Sequence, residues 1–76
     1  MGKTADVEQI IEQVKRTAPG ATTLELWIPD QLLLQGKPVR RDVAMSIVGV
    51  HLLALNLVPD GAIRGENGFT CRYKRL

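Results

Sequence analysis

Arg64, Arg72, Lys74 and Arg75 crowd the closing stretch AIRGENGFTCRYKRL around a Glu66-Asn67-Gly68 turn. With Lys37, Arg40 and Arg41 upstream, they are the residues whose chemistry is most apparent. Guanidinium and ammonium groups grouped on one side of a hairpin would hold phosphates of a nucleic acid, giving affinity without reading bases. The plainer alternative is a solvated strand face, where Lys and Arg also guard a sheet edge against pairing with other chains. Arg40 and Arg41 adjoin the start of a long helix, where each exposed positive charge opposes the helix dipole by about 0.3–1 kcal/mol. Asp42, open solvent or a phosphate at the free amides would compensate.

Little else suggests reactivity. His51 has no second histidine or cysteine at ligand spacing, so it is expected to be a hydrogen-bonded interior or interface residue, not a metal ligand or base. Cys71 is the only cysteine and falls on the inward face of the hairpin, as a small apolar group. Phe69 and Tyr73 could stack on bases, but a shared face toward the core is the simpler account. The opening Met1-Gly2-Lys3-Thr4 has the ending of a phosphate-binding loop without its upstream glycine or preceding strand. No carboxylate pair, nucleophile–base couple or metal set stands out. The expectation is therefore a non-enzymatic protein with no cofactor and no metal.

Seventy-six residues are read as a single domain, 1 to 76, near the lower size limit for a self-sufficient core. Aromatic residues are few, so aliphatic side chains must fill that core. A lone cysteine, no secretory signal and no apolar run of about 20 residues fit a reducing, cytoplasmic setting and no membrane partner. Charge is uneven. Acids outnumber bases through Gly36, and from Lys37 onward seven Lys/Arg face three Asp/Glu. An anionic partner would meet the second half.

Several elements must position these groups. Residues 4 to 17 predict an amphipathic helix with Val7, Ile10, Ile11 and Val14 in one stripe. Thr4 or Asp6 caps it, and Asp6 with Gln9 would form a capping box. TTLELWIP, residues 22 to 29, alternates as a strand, with Leu24, Leu26 and Ile28 on one face and Trp27 on the other, across a neighbour or a subunit contact. Asp30 would cap a short helix over Gln31–Gln35. A second long helix spans 39 to 57, beginning with Pro38 in its first turn or with Asp42 as cap. In the final hairpin, an Asn67-Gly68 turn would set Ile63 opposite Arg72. A three-residue loop Glu66-Asn67-Gly68 sets it opposite Cys71, and that register is preferred because it buries Ile63. Arg64, Arg72 and Lys74 would then project together.

The order helix, strand, short helix, long helix, C-terminal β-hairpin describes an α+β domain that resembles the winged helix-turn-helix fold, the hairpin being its wing. SIVGVHLLALNLV matches the Ser-x-Val-x-x-His-Leu spacing of small bacterial winged-helix regulators through Ser46, Val48, His51 and Leu52. The order of elements covers nearly the whole chain, and the residue match covers about the last 30 positions. The resemblance implies a DNA-binding, transcription-regulating dimer with Ser46 near the groove and the wing on phosphates. The chain departs from that pattern where a recognition helix should be polar: Val43 to Leu57 contains no Lys or Arg. A helix apolar nearly all round is covered on more than one side.

Two functions follow. In the first, Lys37, Arg40, Arg41, Ser46, Arg64, Arg72 and Lys74 bind DNA. In the second, a winged-helix-like interaction or dimerisation module uses Trp27 and Leu53 against a protein partner or a second copy and binds no DNA.

Overall fold

The computed structural model describes residues 4–76; Met1, Gly2 and Lys3 of the phosphate-loop-like start lie outside them. The chain is a small mixed α+β domain. In order, β1 is Thr4–Asp6, α1 Val7–Lys15, β2 Thr23–Pro29, β3 Gln31–Leu34, β4 Lys37–Val39, α2 Arg41–Ala54, β5 Leu57–Arg64 and β6 Gly68–Arg75. Two three-stranded sheets result, ordered β1-β3-β4 and β2-β6-β5.

α1 begins at Val7 and not at residue 4 as expected, because Thr4–Asp6 pair in parallel with Gln31–Leu33. Asp6 closes that strand and caps the helix. The Glu8 amide donates to Asp6 Oδ1 at 2.9 Å, and the Asp6 amide donates to Gln9 Oε1 at 3.1 Å, the expected box. Asp6 Oδ2 also accepts a longer bond, 3.3 Å, from the Gly36 amide in the β3–β4 turn.

The short helix expected at Gln31–Gln35 is a strand. Leu34 pairs with Lys37, and the two residues between them have φ of +54° at Gln35 and +81° at Gly36. Two central residues at positive φ are the mark of a tight type I′ hairpin turn, a conformation no right-handed helix contains. β4 consumes Pro38, so α2 starts at Arg41 with Arg40 as an N-cap that makes no side-chain capping bond. Pro38 is therefore not in the first turn, and Asp42 is not the cap but lies inside the first turn.

One core joins both sheets and both helices. Val7, Ile10 and Val14 meet Ala44, Val48 and Leu52 between the helices. Leu26, Ile28, Leu57 and Tyr73 close it from β2-β6-β5, and Leu32 does so from the other sheet. Arg75 staples the far end: its Nε donates to the Ala21 carbonyl at 2.7 Å and its Nη1 to the Leu55 carbonyl. No helix among the described residues is long and apolar enough to cross a membrane.

The last hairpin takes a register different from either one weighed. Gly65 donates its amide to the Gly68 carbonyl at 2.7 Å, so the loop is Glu66-Asn67. Ile63 then stands opposite Thr70 and Arg64 opposite Phe69. Two constraints impose this. Leu57 must face the core at the helix end of β5, and a bulge between Pro59 and Ala62 inserts one residue that reverses parity beyond it. Gly68 must also be a glycine, because a Cβ there would lie 2.3 Å from the Ile28 carbonyl oxygen. Ile63 is consequently 61% exposed.

Candidate functional site

That register divides the basic residues. Arg64 falls on the same sheet face as Phe69, Cys71 and Tyr73, whereas Arg72 and Lys74 point from the opposite face. The joint projection of Arg64, Arg72 and Lys74 does not occur. On the outer face, Arg72 Nε lies 3.2 Å from Glu25 Oε2, and Lys74 Nζ lies 3.9 Å from Asp60 Oδ1. Lys37 sits on β4, in the other sheet. Among the described residues Arg40 reaches only its neighbour Asp42, at 3.2 Å, with 82% of its side chain exposed.

Arg41 and Arg64 do come together, for a reason the linear spacing conceals. Asp30, just past β2, accepts from Arg64 Nη1 at 2.6 Å and Nη2 at 3.0 Å, and from Arg41 Nη2 at 3.0 Å. Both guanidinium groups stack on Phe69, 4.4 and 4.8 Å from the ring centre. The hydrogen bond from Arg64 is the chief cause that lowers the Asp30 carboxyl below its ordinary value, and the same bond raises Arg64. Asp30, expected to cap a helix, instead clamps the tip of the hairpin to the start of α2. The Asp30 amide also donates to the Asn67 carbonyl at 2.8 Å. Two of three charges in this clamp cancel, so it offers an anion less than its two arginines suggest.

The single residues fall out as follows. Ser46 Oγ donates to the Asp42 carbonyl at 2.9 Å, within α2. Trp27 is on the outer face of β2, 43% exposed, with its ring against Gly65. His51 is half-buried on α2. Burial pushes the Cys71 thiol above its ordinary value, which makes it a poor nucleophile at neutral pH. Tyr73, raised to about 12 mainly by burial and secondarily by Cys71, packs inward rather than offering its ring to a base. No group of three or more His, Cys, Asp or Glu among the described residues could hold a metal ion.

One unpartnered surface is aliphatic. Val43, Val50 and Leu53 are 44, 66 and 65% exposed along the outward side of α2. Beside them runs a groove of about 290 Å³ lined by Met45, Gly49, Leu52, Leu53, Leu57, Pro59 and Tyr73. Of the two interface residues expected from sequence, Leu53 belongs to it and Trp27 does not. Val43 and Val50 were legible only as part of a helix with too much apolar surface.

No known family, curated protein or solved structure matches the chain.

Proposed function

We propose that the chain is a small binding module that associates with protein through the outward side of α2. One observation carries this reading: three large aliphatic side chains stand in water on one helix, next to an apolar groove, in a domain too small to waste them. Burying each would contribute roughly 1–2 kcal/mol, by about 25 cal/mol per Å² of apolar area. The run of α2 directly into a C-terminal hairpin supports a winged-helix-like description. Against it, the β3–β4 hairpin stands where that likeness expects a helix.

Hydroxyl-radical footprinting tests the proposal. Val50 and Leu53 should label rapidly in dilute purified protein and slowly in an extract of the source cells. Equal labelling in both would refute it.

A second reading, phosphate binding, is favoured by Arg41 and Arg64 meeting at Asp30 near the amino end of α2, where Arg40 is exposed at the N-cap. Duplex DNA in about 50 mM salt should then shift the amides of Arg40, Arg41 and Arg64, leave Arg72 and Lys74 unmoved, and lose its effect as salt rises. Absence of those shifts with protein above about 100 μM removes this reading.

A further inference from the structure

The outward side of α2 has an internal order that says what covers it. Val43, Ser46, Val50 and Leu53 are separated by three, four and three residues, the a-d-a-d spacing of one helix laid along another. Ser46 is the only polar member. Its hydroxyl proton is already given to the Asp42 carbonyl at 2.9 Å, so covering it strands no donor. Gly49, on the flank facing the groove, has nothing within 4 Å of the place a Cβ would occupy, which leaves room for an approaching side chain.

We propose that this face binds a second copy of the same chain, with the two α2 helices antiparallel across a two-fold axis that passes between Ser46 and Val50, level with Val48 along the helix. The inference rests on the association reading above and adds its occupant and register. Reversed about Val48, the pattern is its own complement. Val43 meets the partner's Leu53, and Ser46 meets the partner's Val50.

Charge selects the same arrangement. Arg40 stands at the positive end of its own helix dipole, where it is unfavourable, and Asp42 alone offsets it. In the antiparallel register Arg40 comes opposite the partner's Asn56, beside the negative end of the partner's dipole. A parallel pair would instead bring both Arg40–Arg41 corners together. From Val43 to Leu57 the helix and its exit carry no Lys, Arg, Asp or Glu. A charged partner finds nothing there to recognise, and an identical stripe finds nothing to repel it. The helix is about 21 Å long at 1.5 Å per residue, so the contact is small and the dimer is expected to be weak.

Sedimentation equilibrium of the purified chain from about 10 μM to about 1 mM should show monomer passing to dimer. Leu53→Lys and Val50→Lys should each raise the dissociation constant at least tenfold, roughly the loss expected when a central interface side chain is removed. Both positions are largely exposed in the monomer, so the circular dichroism and melting of the variants should match the parent; a melted variant is replaced by Val43→Lys, with the same expectation.

Register is read by disulfide trapping in a Cys71→Ser background. An equimolar mixture of Val43→Cys and Leu53→Cys chains should give the mixed disulfide faster than either chain links to itself. A monomer at about 1 mM, or faster Val43→Cys self-linking, overturns the proposal. If the purified chain is monomeric while Val50 and Leu53 are protected in extract, the face binds a different protein: the association reading stands and the second copy falls.

Discussion

α1 and α2 bury matching stripes against each other, Val7, Ile10 and Val14 from one and Ala44, Val48 and Leu52 from the other. Their solvent sides differ. α1 shows water Glu8, Gln9, Glu12, Gln13 and Lys15, the ordinary partition of an amphipathic helix. α2 shows it Val43, Val50 and Leu53, with its only charges in the first turn. Both helices serve the same core equally well, so the fold does not require the aliphatic side of α2. The difference between two helices in one small domain locates a surface that something else must cover.

The sharpest way to break this comparison is to truncate both kinds of residue. Ile10→Ala, at a side chain 2% exposed, should cost about 2–5 kcal/mol in urea unfolding, whereas Leu53→Ala should stay within about 0.5 kcal/mol for the monomer. Equal losses would make the outward stripe part of the core.

A smaller effect sharpens the account of the hairpin that flanks α2. Gly68→Ala places a carbon 2.3 Å from the Ile28 carbonyl oxygen and 2.7 Å from Pro29 Cα, both backbone, and should cost about 1–3 kcal/mol or more. At Gly65 the new carbon crowds the Trp27 ring, at 3.1 and 3.2 Å, and touches the Gly68 carbonyl oxygen at an ordinary 3.4 Å; an exposed ring can move. Gly65→Ala should therefore cost clearly less than Gly68→Ala in thermal melts.

The mildest effect is in alkali. Tyr73 holds its proton to about 12 in the fold, against 10 for an ordinary phenol. The stability it gives is complete below pH 10 and is lost as pH rises toward about 12. The chain has one tyrosine, so its phenolate absorbance follows this directly. Tyr73→Phe should flatten the decline over that interval. An absorbance midpoint near 10 in the folded protein would contradict the burial assigned to this ring.

The regions that could be read from sequence are those whose structure is local. The apolar stripe of α1, its Asp6–Gln9 box and the alternation of β2 all depend on neighbours within a turn or two, and each is present. The β3–β4 hairpin was hidden because Leu32, Leu33 and Leu34 show no period and favour helices. Gln35-Gly36, followed by Lys37-Pro38, was the available sign of a tight turn. The parity of the last hairpin was lost at a bulge, for which Pro59-Asp60-Gly61 inside a strand was the only hint. The Asp30 clamp joins positions 34 residues apart and leaves no trace in local spacing. With it went the expected basic face, since the residue that should have joined Arg72 and Lys74 is held across Phe69 instead.

A soluble paramagnetic probe on methyl-labelled protein asks the central question directly. Ile63, 61% exposed on the outer face of the sheet, is an internal control for Leu53, at 65%. In dilute protein the methyl signals of both should broaden alike. In concentrated protein or cell extract, Leu53 and Val50 should escape the broadening while Ile63 does not. If Leu53 and Ile63 broaden equally under every condition, α2 has no partner and the account is wrong.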